Sequence, residues 1–217
     1  MIVFITGPMF SSKSKRMEEY YSSATYNNSD DVLVFKPSKD TRDDGYIESR
    51  SGKRIQAIKI DSLLEIPKYI TESTTDIFID EINFFENIPE EQNLLTGEFF
   101  IEREKRIHTI ILLFEYLNYE KGINIFLAGL DFNSERKPFG IAPFLINIAT
   151  SIDKLNARCV KCPAPATHTN YKGIKDVEVV VGSDEYEALC AYHWFKAQRE
   201  KDPEFLENNI KKLELKP

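Results

Sequence analysis

IVFITGPMFSSKS, Ile2 to Ser14, sets an apolar run directly against a short loop that ends in Lys13 and Ser14. IVFIT has the character of a buried strand, and KSKRMEEYYSSATY beyond the loop has helical character. Strand, glycine loop and helix is the order in which backbone N–H groups gather around an anion. The first amides of a helix lack partners, and the helix dipole adds positive potential there. The full pattern of such a phosphate loop is G-x-x-x-x-G-K-[ST], with Lys reaching the terminal phosphates and the last hydroxyl holding Mg²⁺. GPMFSSKS, Gly7 to Ser14, meets it at Gly7, Lys13 and Ser14 and departs at Ser12, where the pattern has glycine. Serine adds a Cβ and a hydroxyl where glycine permits close approach and free φ. The competing reading is a helix N-cap supplied by Ser11 or Ser12. The strand before the loop and the helix after it favour the phosphate site.

A second stretch belongs beside the first. DIFIDE, Asp76 to Glu81, is an apolar strand that ends in two acids. A strand ending this way delivers a carboxylate to Mg²⁺ beside bound phosphates, the role expected of Asp80. Glu81 then projects past the strand end, where a carboxylate can accept the proton of an attacking hydroxyl. A solvated acidic strand end is the plainer reading, and the phosphate loop outweighs it. Further apolar runs, VLVFKP, IQAIKI and INIFLAGL, alternate with the helical stretches DSLLEIPKYI, HTIILLFEYLNY and FGIAPFLINIATSI. That alternation predicts an α/β fold, a parallel sheet covered by helices on both faces. EEQNLLTGEFFIEREKR, within the long span between Glu81 and Asp131, is mixed aromatic and charged and is expected to be a surface excursion.

Composition narrows the function. The net charge of −7 offers no basic surface for a polyanion, so nucleic acid is not an expected partner and any phosphate must be gripped locally. No apolar stretch reaches the ~20 residues that span a bilayer. MIVFIT has no basic flank and no cleavage site, so it is expected to be a buried strand and not a signal peptide, and a cytoplasmic location without membrane partners is expected.

All three cysteines fall into one pattern. Cys159 and Cys162 form C-x-x-C, and Cys190 and His193 form C-x-x-H. Two such turns each point a pair of ligands at one place, which is the arrangement of a closed, tetrahedral structural Zn²⁺ site. A redox role for C-x-x-C would leave Cys190 and His193 without a purpose.

GPMFSSKS, FKPSKDTR, FIDEINFF, GLDFNSERKPFG, CVKC and DEYEALCAYH occur in this order. Together they closely resemble the type II thymidine kinases over about residues 1 to 195. The resemblance implies a P-loop NTPase-like α/β domain over 1–152, a zinc-binding lasso domain over 153–195 and a charged tail over 196–217. It implies ATP and Mg²⁺ as partners in phosphorylating the 5′-hydroxyl of thymidine or deoxyuridine, a structural Zn²⁺ and a homotetramer. By motif, Gly7, Pro8, Met9, Phe10, Ser11, Ser12, Lys13 and Ser14 would hold the triphosphate. Lys36, Asp40 and Arg42 would line its phosphate side, with Asp80 and Asn83 beside it. Glu81 matches the catalytic base. Phe84 and Tyr186 match aromatics around the nucleobase, and Ser134 stands where the family has another. Thr169 and the backbone of Val177, Glu178, Val179, Val180 and Val181 match the lasso that reads the base. Departures from the family fall at Ser12, Asn83 (commonly Gln), Ser134 (aromatic), Tyr171 and Ala191 (both Arg), and Val181 (Gly). They leave open a homologue that has lost phosphotransfer and a deoxynucleoside kinase with altered base preference.

Overall fold

Alternate residues of the first strand face opposite ways, and both faces are covered. The computed structural model describes residues 1–26, 31–40, 45–48, 52, 54–86, 97–173 and 184–205. In chain order β1 (Ile2–Thr6) leads to α1 (Lys13–Ala24), β2 (Val32–Pro37), β3 (Tyr46–Glu48), β4 (Arg54–Gln56), β5 (Ile58–Ile60) and β6 (Asp76–Ile79). Then come α2 (Gly97–Tyr119), β7 (Asn124–Gly129), α3 (Ala142–Ile148) and β8 (Ser151–Lys154). A small module follows, of β9 (Ala157–Arg158), β10 (Pro165–Ala166), β11 (His168–Tyr171), β12 (Tyr186–Leu189) and α4 (Ala191–Lys201).

Six strands form one sheet in the order β5-β2-β6-β7-β1-β8. Every pairing in it is parallel. Ile2 and Phe4 of β1 pack into the cluster that includes Ile107, Ile110 and Phe114 of α2 and Leu145 of α3. Val3 and Ile5 pack the other way, with Met17 of α1 and with Phe78 and Phe126 of β6 and β7. The Phe78 and Phe126 rings stack at 4.5 Å across neighbouring strands. Burial on both faces is why these strands read as unbroken apolar runs and not as alternating ones.

Several local expectations are corrected. IQAIKI is two strands: β4 pairs antiparallel with β3, and β5 pairs with β2 at the sheet edge. DSLLEIPKYI forms only a 3-10 turn, Leu63–Lys68, which contains Pro67 and starts on a Ser62–Glu65 capping box. Proline removes a helix donor and crowds the preceding turn, so an α-helix cannot run through it. FGIAPFLINIATSI holds a helix of seven residues, after which the chain turns into β8. EEQNLLTGEFFIEREKR is not a surface excursion throughout. Residues 87–96 lie outside the described residues, but from Gly97 the chain is α2, whose Ile107, Ile110, Phe114 and Leu117 are core. The charged segment after Trp194 is helical to Lys201, and Phe205 packs edge-on against Trp194 at 5.8 Å.

Candidate active site

The carboxyl ends of β6, β7 and β1 emerge side by side, and the predicted residues divide among them. Parallel sheets bind ligands at this edge, because helix N-termini and strand ends converge there. At the end of β1, Gly7 has φ 148°, and a side chain there would collide with the Leu155 carbonyl. Phe10 (φ 68°) and Ser12 (φ 66°) are left-handed on either side of Ser11. Alternation of hands curls successive amides toward one side, which is the geometry of an anion-binding nest. Ser12 stands directly before α1 but makes no side-chain cap, so the N-cap reading of that residue fails. Ser11 is buried, and its Oγ lacks a partner among the described residues. Lys13 reaches back over the loop, its Nζ donating to the Gly7 and Pro8 carbonyls at 3.1 and 3.0 Å. Ser14 lies in the first turn of α1.

Two strands away, β6 ends at Ile79, and Asp80 turns the chain by accepting from the Glu81 amide at 2.9 Å. Glu81 is left-handed, φ 50° and ψ 40°, ahead of a 3-10 turn over Ile82–Phe84. A glutamate gains nothing from that conformation, so neighbouring structure must impose it. Phe84 meets Phe139 edge-on at 5.8 Å. Asn83 is fully buried, its Oδ1 accepting from the Leu130 amide at 2.8 Å. The side chain that the resemblance places beside ATP is therefore turned into the protein.

Lys36 and Asp40 form an ion pair of 3.1 Å with side chains only 2% and 4% exposed. Lys36 also donates to the Tyr46 carbonyl at 3.1 Å. Arg42 and Val177, Glu178, Val179, Val180 and Val181 lie outside the described residues.

The small module touches the loop between Gly7 and Ser14. Thr169 Oγ1 accepts from the Met9 amide at 2.9 Å, and Phe10 packs into the module's apolar cluster. Trp194 Nε1 donates to the Ser134 carbonyl at 3.2 Å, pinning the backbone where the family has an aromatic. Tyr171 and Tyr186, cross-strand partners, hold their rings 5.4 Å apart. Cys159, Cys162, Cys190 and His193 converge, all four ligand atoms lying within 4.8 Å of one another. Around a tetrahedral Zn²⁺ two thiolates would stand roughly 3.8 Å apart, and a thiolate and an imidazole nitrogen roughly 3.6 Å. Here Cys162 and Cys190 sulfurs are 3.8 Å apart, and His193 Nδ1 is 3.6 Å from Cys159 and 3.3 Å from Cys190. The cage fits the ion. Burial pushes the Cys159 thiol up, but amides of Cys190, Lys161 and Cys162 outweigh it and bring the thiol down to about 6, ready to bind as thiolate.

GLDFNSERKPFG also supplies Asp131 and Arg136, to which its motif assigned no part. Both line a cleft of about 140 Å³ with Gly7, Pro8, Lys154 and Thr167, where Asp131 pairs with Lys154 at 3.1 Å. Arg136 lies over the Phe132 ring at 4.2 Å. A larger cleft, about 290 Å³, opens beside Phe84 and Phe85 and is lined by Lys39, Arg103 and Arg106. The signal for Asp131 was the same as for Asp80, an acid just past an apolar strand.

Geometry alone defines the class: a doubly covered parallel α/β sheet whose ligand-binding edge is tied to a Cys₃His module. Comparison with known proteins narrows it. The family profile described as Thymidine kinase matches residues 1–98 and 100–194. Proteins named Thymidine kinase are similar to it, one from Mesomycoplasma hyopneumoniae at 36% identity over 193 residues, 88% of this chain and 92% of that protein. Another, from Ureaplasma urealyticum, is 33% identical over 205 residues, 88% and 81% of the two chains. A third, from Mycoplasma genitalium, is 34% identical over 194 residues, 87% and 80% of the two chains. The chain belongs to the thymidine kinase family.

Proposed function

We propose that the chain transfers the γ-phosphate of ATP to the 5′-hydroxyl of thymidine, with deoxyuridine as the related acceptor, giving dTMP and ADP. One observation carries the reading. The loop bearing Lys13 and Ser14 and the turn bearing Asp80 and Glu81 share one sheet edge, with only β7 between their strands. Loop amides and the Lys13 ammonium would hold the outer phosphates, and Ser14 and Asp80 would hold Mg²⁺, which neutralises phosphate charge when bound. The Glu81 carboxylate takes the proton of the 5′-hydroxyl as that oxygen bonds to the γ-phosphorus, and the bond to ADP breaks with its electron pair on ADP. Thr169, Phe84, Tyr186 and the chain at 177–181 would enclose the base. The Cys₃His cage would hold a structural Zn²⁺ that keeps this wall in place and takes no part in transfer.

A homologue without phosphotransfer is disfavoured, because Lys13, Ser14, Asp80 and Glu81 are all present and a mere binder has no use for Glu81 in a strained conformation. The proposal extends to a cytoplasmic homotetramer supplying DNA synthesis. All three cysteines serve one Cys₃His cage and form no disulfide, which suits a reducing compartment. Exposed Ile101, Leu112, Tyr116 and Tyr119 on α2 suit burial against a second copy.

Glu81→Gln tests the base. It keeps size and hydrogen bonding but cannot take the proton, so kcat should fall about 100-fold to 10,000-fold while ATP and thymidine still bind. Turnover close to that of the parent would send the search for the base elsewhere.

A further inference from the structure

Glu81 is held in a costly conformation, and the residue placed to hold it is Asn83. Three contacts fix Asn83. Its Oδ1 accepts from the Leu130 amide at 2.8 Å. A side chain at Gly129 would come within 2.6 Å of that oxygen and 2.7 Å of Ile82 Cγ2, so Gly129 leaves room for both residues of the turn. Its backbone carbonyl lies so close to Gly140 that any side chain there would collide with it. The side chain is completely buried, so it cannot reach solvent, and its Nδ2 has no partner among the described residues. A buried amide with an unmet donor costs stability, and an apolar side chain of the same shape would avoid that cost. The amide's one hydrogen bond among the described residues is made through its oxygen, and that bond is what an apolar side chain could not supply.

We infer that Asn83 is a positioning residue, which clips the Asp80–Glu81 turn to the end of β7 and thereby fixes where the Glu81 carboxylate points. The clip is polar and directional, and it ties a side chain of the turn to the end of β7. Its other end is Leu130, so one hydrogen bond sets both the Glu81 turn and the start of the Asp131 loop. Two glycines make the seat, which explains why GL and FG bracket that loop in the sequence. This inference rests on the reading of Glu81 as the base.

A double-mutant cycle on the full chain tests it, with ATP and thymidine turnover measured for the parent, Asn83→Leu, Glu81→Gln and the pair together. Asn83→Leu should lower kcat about 10-fold to 100-fold, as misplacing a reacting group does, with KM for ATP changed less than about threefold. Because both changes disable one base, the double variant should be no more than about twofold below Glu81→Gln. Losses that multiply in full would overturn the inference. Amide exchange gives a second reading: Asn83→Leu should speed exchange at Leu130 and also at Phe84, whose N–H donates to the Glu81 carbonyl. Faster exchange at Leu130 alone would overturn it. If Asn83→Leu fails to fold, Asn83→Ser, too short to reach the Leu130 amide, is read in the same assays. If Glu81→Gln alone keeps parental turnover, the base assignment fails by itself, and exchange at Phe84 decides whether Asn83 holds the turn.

Discussion

The sheet and the Cys₃His module reach order by different means. The sheet buries unbroken aliphatic and aromatic strands between α1 on one face and α2 and α3 on the other. In the module the buried cluster is mostly alanine and cysteine around Leu189 and Trp194, and β9 and β10 are two residues each. So small an apolar core cannot offset the entropy of ordering its loops, and the ligand cage has to supply the remainder. The lesson concerns coupling. Thr169 of the module accepts from the Met9 amide and Phe10 packs into the module's cluster, so the Cys₃His cage and the loop between Gly7 and Ser14 are mechanically joined.

The largest expected effect separates the two regions outright. Structural Zn²⁺ contributes about 10 kcal/mol or more in small domains, so a strong chelator should open the module and leave the sheet folded. Trp194, the sole tryptophan and only 3% exposed, reports this directly. Its fluorescence should shift to the red while far-UV circular dichroism keeps most of its amplitude. Loss of both signals together would mean that the sheet depends on the metal too, and no response at all would mean that the module stands unaided.

A smaller effect tests the module's seam. His168 lies against Trp194, ring centroids 5.2 Å apart and tilted by 35°, and burial, with Arg136 adding to it and Asp131 opposing, lowers its imidazole to about 4. An unfolded histidine titrates near 6.5, so between these values the unfolded chain binds more protons and the fold loses stability as pH falls. The loss should amount to about 2 to 3 kcal/mol by pH 4. Melting of the parent and of His168→Gln from pH 7 to pH 4.5 should show the parent's advantage shrinking toward acid. A constant difference, or one that grows, would contradict the buried neutral form.

The smallest effect belongs to the sheet's edge. Ser12 is left-handed, at a cost of about 1 to 2 kcal/mol, of which glycine would return part through its own unfolded-state entropy. Ser12→Gly should stabilise by about 0.5 to 1 kcal/mol and leave ATP binding unchanged or improved, read by thermal melting and titration. Destabilisation would show that the Ser12 hydroxyl does something the loop needs.

IVFIT, VLVFKP, DIFIDE and INIFLAGL were legible because burial on both faces writes itself as contiguous apolar residues. β8 was not, because Ser151–Lys154 is a mostly exposed edge strand with no apolar signature. α2 was half legible: its buried residues recur at helical spacing, but EREKR on its outer face disguised the start. For the site, local motifs pointed to the cysteine cage, which the fold gathers, and to Lys13, Ser14, Asp80 and Glu81 as candidates, because such chemistry depends on residue type at short spacing. They could not give the Met9–Thr169 contact, which joins residues 160 apart, nor the inward turn of Asn83, which depends on two glycines from a distant loop.

Phosphate transfer to a nucleoside is the decisive measurement. The chain, purified without chelator, is given γ-labelled ATP and Mg²⁺ with thymidine, deoxyuridine and the other nucleosides in separate reactions. The account predicts label in dTMP, less in the deoxyuridine product and none with purine nucleosides, with the signal lost in Glu81→Gln. Transfer to no nucleoside by a chain that still binds ATP would contradict it.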